Sequence, residues 1–273
     1  MITLIVATDF SPLAENAVNY AAGLAKQFQA RLIIFNAFTL SVPASNALLS
    51  AADFEDMLLD NQTRLRKKAE WITANYGIEA NYESAYAMIT DELENLAGKY
   101  DAGLVVLGME PESVSQDVFG NTTTAVIKSL KCPVLAVPEG ARFGGFKKVL
   151  FACDATHELP AGVLPRIKEM ALLSAAEVEV FFVDQQAGER DPDEAVLASG
   201  EEIVEGLEGV ACTYKKVRSA SVIKGIREEI AGINADLLIM VPKTYSFWSS
   251  LTHRSKTRMM ASGLNIPLLA IPA

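Results

Sequence analysis

The sequence predicts an α/β fold: two repeated, doubly wound, five-stranded parallel-sheet domains, packed as an intrachain pseudo-dimer. Three observations carry this prediction. Short apolar runs alternate with helix-periodic stretches along all 273 residues, the mark of β-α-β units in a parallel sheet. The plan is also written twice, in the same order. "LIVATDF" near the start matches "VLFACDA" at Val149–Ala155, "AGLVVLG" at Ala102–Gly108 matches "ADLLIMV" at Ala235–Val241, and "KCPVLAVP" matches "NIPLLAIP". Finally, a glycine-rich segment, "EGARFGGF" at Glu139–Phe146, separates the two copies. The expected domains are residues 1–141 and 142–273.

In the first copy, Thr3–Thr8 is a continuous apolar run, as expected for a strand buried on both faces. Ser11 then reads as a helix N-cap with Pro12 at the first helical position. Ala14, Ala17, Val18, Ala21, Leu24, Ala25 and Phe28 follow at the spacing of one helix face. "RLIIFNAF" (Arg31–Phe38) is a second strand, and a long helix runs from about Ala47 to Asn75. Ile78–Tyr86 reads as a third strand, Thr90–Lys99 as a helix, and Gly103–Gly108 as a fourth strand. Asn121–Leu130 reads as a helix and Val134–Val137 as a fifth strand. The second copy places strands near 148–153, 177–184, 210–217, 236–241 and 267–271. Right-handed crossovers leave few topologies, and the order expected in each copy is 3-2-1-4-5. The apolar, proline-bounded fifth strands would be exposed edges unless covered, and each other is the simplest cover.

Composition narrows the function classes. The chain carries 34 acidic and 24 basic residues, a formal net charge of −10. Such a surface repels nucleic acid and anionic membranes, so neither is expected as a partner. Cys132, Cys153 and Cys212 are far apart and, with only His157 and His253, form no metal-ligand spacing. Buried, inert thiols in a reducing compartment are expected, and no stretch is long and apolar enough for a membrane span. The expected location is cytoplasmic.

Topology then points to a site. In doubly wound sheets, ligands bind beyond the carboxyl ends of the strands where the order reverses, here between strands one and four. That places Ala7–Asp9 beside the stretch "LGMEPESVSQDVFGNTTTAV" (Leu107–Val126). A helix N-terminus favours anions, Gly120 permits close backbone approach, and Asn121, Thr122 and Thr123 offer donors. Asp9 can accept from an adenine or ribose hydroxyl. Set against this, a glycine, a cap and a helix occur at many strand–helix junctions that bind nothing, and Glu110, Glu112 and Asp117 repel phosphate.

These residues resemble the universal stress protein family in its tandem two-domain form. The resemblance spans essentially the whole chain. It rests on "IVATDFSPLAENAVNYAAGLAKQFQARLIIFNAF", "YDAGLVVLGM", "FGNTTTAVIKSLKCPVLAVP" and the repeat of that plan. In nucleotide-binding members a loop of the form G-x2-G-x9-G-(S/T) wraps the phosphates, and an Asp at the end of the first strand holds the base or ribose side. The resemblance therefore implies that Ala7, Asp9, Asn36, Ala37, Leu107, Gly108, Gly120, Asn121, Thr122 and Thr123 line an adenine-nucleotide site, for ATP or AMP with Mg. The departures weaken that site: Pro111 stands where the second glycine belongs, Asn121 replaces the hydroxyl, and the loop is one residue shorter than the pattern. Proline has no N–H to offer a phosphate, while a magnesium ion would offset the flanking carboxylates.

The second copy departs further. Val241 and Pro242 replace the first glycine, His253-Arg254 replaces the final pair with Ser255 following, and Phe247 and Trp248 fill the loop. Nucleotide is not expected there by the family's mode, and Asp154 reads as a helix cap. The basic, aromatic run Lys243–Arg258 is either a solvated helix face or a site for an anion or partner.

The sequence contains neither a G-x-S-x-G elbow nor a G-x-x-x-x-G-K-[ST] loop, so no catalytic residue is expected. The resemblance implies a non-catalytic stress-response regulatory or binding protein, with weak adenine-nucleotide binding confined to the first half. Two alternatives stay open: a binder of another small or lipid-like ligand in the degenerate cleft, and a ligand-free interaction scaffold. Partners are a small molecule or a protein, and further homodimerisation stays open.

Overall fold

This computed structural model describes residues 1–37, 51–109, 121–153, 159–184, 194–242 and 265–272. The chain divides into two compact units, one built from residues 1–109 and 121–143 and the other beginning at Gly144.

The first unit runs β1 (Thr3–Ala7), α1 (Pro12–Gln27), β2 (Arg31–Ala37), α2 (Ala51–Tyr76), β3 (Ala80–Ala85), α3 (Ile89–Tyr100), β4 (Ala102–Met109), α4 (Asn121–Ser129) and β5 (Val134–Pro138). All strand pairs in it are parallel, in the order β3-β2-β1-β4-β5. β1 is buried at every position because helices cover both faces of a doubly wound sheet. α1 starts where expected: the Ser11 hydroxyl accepts from the Ala14 N–H at 3.2 Å, with Pro12 in the first turn. Its buried face is made largely of Ala14, Ala17, Ala21, Ala22 and Ala25. Such small side chains let the helix axis lie close to β1 and β4.

The second unit repeats the plan: β6 (Lys148–Ala152), α5 (Val163–Ser174), β7 (Glu177–Asp184), α6 (Glu194–Gly206), β8 (Cys212–Arg218), α7 (Val222–Ile233), β9 (Leu237–Met240) and β10 (Leu268–Ala270). Its order, β8-β7-β6-β9-β10, is again 3-2-1-4-5, and all pairs are parallel. The expected order therefore holds in both units, and so does the alternation among the described residues; residues 243–264, between β9 and β10, lie outside them. The start of the long second helix before Ala51 lies outside the described residues. No helix among the described residues is long and apolar enough to cross a membrane.

The repetition extends to single hydrogen bonds. Thr8 N–H donates to Phe35 O at 2.8 Å, and Cys153 N–H donates to Phe181 O at 3.1 Å. Ala30 N–H reaches Ala25 O and Ala176 N–H reaches Ala171 O, each at 2.9 Å, past left-handed residues Gln29 and Ala175. Asp101 and Asn234 hold the same left-handed conformation at the ends of α3 and α7. These are helix stops built from backbone geometry, without a glycine.

Side chains diverge on that shared frame. In the first unit the strand residue Glu83 accepts from Lys99 of α3 at 2.6 Å and from the Tyr100 hydroxyl. At the matching strand position of the second unit the polarity is inverted, and Lys215 donates to Glu229 of α7 at 2.7 Å. The glycine-rich segment also has a structural task in the first unit. Phe143 packs edge-on against Tyr20 with ring centroids 5.2 Å apart, and its side chain fills the space a Cβ on Gly23 would need. Gly140 and Gly145 both adopt positive φ, which suits glycine. No disulfide joins the three cysteines, and each is half-buried, a smaller degree of burial than the sequence suggested. Burial pushes the Cys212 thiol above its ordinary value.

Glu179 on β7 generates a test. One of its carboxylate oxygens is buried with no hydrogen-bond partner among the described residues. Burial, and then the neighbouring Glu229 of α7, push its carboxyl above the ordinary 4.5, against the opposing pull of Lys215 on β8 and Lys148 on β6. A carboxyl with a raised folded value stabilises the fold below its unfolded value, and that contribution is lost as pH rises through the folded value. Relative to the wild type, Glu179→Gln should therefore flatten the fall in melting temperature between acid and neutral pH. Parallel thermal melts of the two proteins across that range check this, and identical slopes would refute it.

Candidate functional site

At the carboxyl end of β1 the chain must turn from strand to helix in four residues, and side chains supply the bonds the sheet no longer provides. Thr8 Oγ1 accepts from Phe10 N–H at 3.0 Å, and Asp9 Oδ1 accepts from Ser11 N–H at 2.9 Å. Phe10 takes a φ of 64°, which is uncommon for a non-glycine residue. Asp9 is exposed, and its second oxygen has no partner among the described residues. Ala7 is buried beneath the turn.

Asn36, at the end of β2, is only 5% exposed. Its amide nitrogen donates to Thr8 O at 2.6 Å, and its oxygen accepts from Asn61 of α2 at 2.8 Å. Asn61 also donates to Ser84 Oγ on β3 at 2.9 Å. One asparagine pair thus ties the ends of β1, β2 and β3 to α2. Both ends of the Asn36 amide serve the frame, and Ala37 beside it is half-buried.

Sequence reasoning missed α2 as a contributor. Asn61, Arg64 and Lys68 recur at the spacing of one helix face. Lys68 is ion-paired with Glu15 of α1. Arg64 is exposed, and its guanidinium lies 3.9 Å from the centroid of the Phe10 ring. An arginine and a lysine at helical spacing after a stretch of acidic residues were the available signal, but their meaning depends on which face meets the β1 turn.

On the other side of the corner, Leu107 is buried and Gly108 is the penultimate residue of β4. A Cβ built on Gly108 would lie 2.9 Å from Leu13 Cγ and 3.3 Å from Leu13 O. This glycine is therefore required by the close approach of α1, whatever it also does toward a ligand. The Thr123 hydroxyl donates to Gly108 O at 3.3 Å, anchoring α4 to β4. Asn121 begins α4 and Thr122 is exposed on it. Gly120 and the acidic loop before it lie outside the described residues.

The corresponding corner of the second unit has different chemistry. Register puts Cys153 where Thr8 stands, Phe182 where Asn36 stands, and Lys216 where Ser84 stands. Lys216 pairs with Asp184 at 3.2 Å and sits 5.6 Å from the Phe182 ring centroid. Val241 is buried at the end of β9. Asp154, His253, Arg254 and Ser255, with the whole run from Lys243 to Arg258, lie outside the described residues. Among the described residues no group of three His, Cys, Asp or Glu is placed to hold a metal ion.

The described residues of the first corner present an exposed carboxylate oxygen, an exposed guanidinium and the amino end of α4, while the hydroxyl of Thr123 and the amide of Asn36 are already engaged.

The family model described as the universal stress protein family matches residues 1–138. No curated protein matches the sequence. Among solved structures, a universal stress protein from Archaeoglobus fulgidus DSM 4304 superposes with a TM-score of 0.77 at 18% identity, covering 99% of this chain and 98% of that one. The functionally unknown protein PA1789 from Pseudomonas aeruginosa PAO1 superposes with a TM-score of 0.59 at 14% identity, covering 99% and 92%. At these identities the structural likeness speaks to fold alone.

Two substitutions test the corner. Gly108→Ala should destabilise the protein by about 1–3 kcal/mol, because the added methyl overlaps Leu13 Cγ at 2.9 Å and crowds the Leu13 carbonyl oxygen at 3.3 Å. Asn36→Ala should cost a similar amount, about 1–3 kcal/mol, by leaving the buried Thr8 carbonyl without its donor. Chemical denaturation of each variant measures both. A neutral result for Gly108→Ala would mean that α1 shifts freely, and a neutral result for Asn36→Ala would mean that water replaces the amide.

Proposed function

The chain belongs to the universal stress protein family, and from that premise we propose that it is a stress-response regulatory module that acts by binding rather than by turnover. Its first unit takes an adenine nucleotide, ATP or AMP, weakly at the corner between β1 and β4. The observation that carries this reading is Asp9: an exposed carboxylate where the strand order reverses, with one oxygen committed to its own turn and the other available to a ligand hydroxyl. The amino end of α4, with Thr122 exposed on it, faces the phosphate side of such a ligand in this reading. Ala7, Leu107 and Gly108 then act as floor, and Asn36 acts through the turn it holds. A magnesium ion, where present, would be held by the phosphates and by the carboxylates of the loop after β4.

A second reading applies to the second unit. Its matching corner offers an aromatic ring in place of an amide, with Tyr214 packed against Phe182. That supports a small apolar or aromatic ligand there in preference to a nucleotide. A protein partner engaged through either unit completes the regulatory role.

The test is to denature freshly purified protein and identify the released small molecules by mass spectrometry, alongside an Asp9→Ala variant and a Gly120→Glu variant. Adenine nucleotide released by the wild type and absent from both variants is the expected result. If the wild type releases none, and Mg-ATP or AMP produces no thermal shift, nucleotide binding is not its mode of action.

A further inference from the structure

Two buried hydrocarbon positions of the first unit carry carboxyl groups in the second. Glu179 is the third residue of β7 and pairs with Leu150, where the third residue of β2, Ile33, pairs with Ile5. Glu229 is the eighth residue of the twelve-residue α7. Leu96 takes that place in the twelve-residue α3, and both helices end on a left-handed cap. Ile33 and Leu96 are 1% and 3% exposed. The second unit thus sets two acids where its twin sets two apolar side chains.

The helix lies close to the strand that carries Glu179. A Cβ on Gly225 would stand 3.1 Å from Val183 of β7. One turn further along α7, Glu229 is buried and accepts from Lys215 of β8 at 2.7 Å. Glu229 of α7, Lys215 of β8 and Lys148 of β6 are the charged groups that act on Glu179. Lys215 is already engaged by Glu229, and the exposed Lys148 exerts the weakest pull. Glu179 keeps one buried oxygen without a hydrogen-bond partner among the described residues, beside a second carboxyl. Ionised carboxylates only accept, so the contact between the two acids becomes a bond only when one carries a proton. Without that proton, two like charges meet in a place shielded from water.

We infer that Glu179 and Glu229 form a proton-operated latch for α7: a proton held on Glu179 fastens the helix to β7, and its departure loosens the helix. Burial and then Glu229 hold the Glu179 carboxyl above its ordinary value. The latch is therefore closed in the ordinary carboxyl range and opens as pH rises through the raised folded value. Its effect extends to the second corner. Ser219 N–H, just ahead of the Ser221 cap of α7, donates to Asp184 O at 3.1 Å, and Asp184 pairs there with Lys216. The second unit, and not the first, responds to acidification. This inference is independent of nucleotide binding in the first unit.

Hydrogen exchange of the full chain, read by mass spectrometry from acid to neutral pH and corrected for intrinsic exchange rates, tests the latch. Protection of residues 222–233 should fall several-fold as pH rises, while that of the twin helix, residues 89–100, stays level. Glu179→Gln should keep residues 222–233 protected across the range, because its amide always offers a donor to Glu229. Lys215→Met should move the fall to higher pH by removing a cation that favours ionised Glu179. Glu179→Ile combined with Glu229→Leu restores the side chains of the first unit and should abolish the response in a folded protein, as a thermal melt checks. If both helices of the wild type lose protection in parallel, or if Glu179→Gln or the double variant retains the fall, the acid pair is not a latch.

Discussion

The structure depends on how backbone groups are satisfied where β1 leaves the sheet. Inside a doubly wound sheet, neighbouring strands supply every hydrogen bond. Beyond Ala7 the strands splay, and Thr8 keeps its N–H bonded to Phe35 while its carbonyl is left to a side chain. Asn36 is that side chain, and its other end reaches α2 through Asn61. A buried carbonyl left unpaired would cost about 1–3 kcal/mol, so the amide is an obligation of the topology. Because it is met by side chains, the turn that presents Asp9 and Phe10 is tied to β2 and to α2.

The matching place in the second unit carries different side chains, and the difference separates frame from function. Cys153 keeps the backbone bond to Phe181 that Thr8 makes to Phe35, yet the side chain in the position of Asn36 is Phe182. Bonds between backbone groups survive divergence because any residue supplies them. Bonds between side chains do not. Two units with one frame therefore reach different corners, polar in the first and aromatic with a buffered lysine in the second. The inverted ion pairs, Glu83 with Lys99 and Lys215 with Glu229, show the same freedom. Either polarity joins the strand to its helix.

Much of the fold was legible in the sequence because buried parallel strands are continuous apolar runs and their helices carry caps. Thr3–Ala7, the Ser11 cap and both copies of the 3-2-1-4-5 order follow from local pattern and the handedness of crossovers. The corner was legible only in outline. Asp9 and Gly108 stand out by position, but the packing duty of Gly108 depends on Leu13, ninety-five residues earlier in the chain. The engagement of Asn36 depends on Asn61, at a separation of 25 residues, and the setting of Arg64 depends on the face α2 turns to the β1 turn. Pairings of that range leave no periodic trace. A glycine that looks like half of a ligand motif and a glycine required by helix packing are the same letter.

That ambiguity bears on how a weakened loop can still belong to a working site. Gly108 would persist under packing constraint alone, so its presence says little about phosphate. Asp9 is constrained only through the bond from Ser11, which an asparagine or serine would also accept. A carboxylate kept exposed there, in a chain already rich in negative charge, adds repulsion unless something uses its second oxygen.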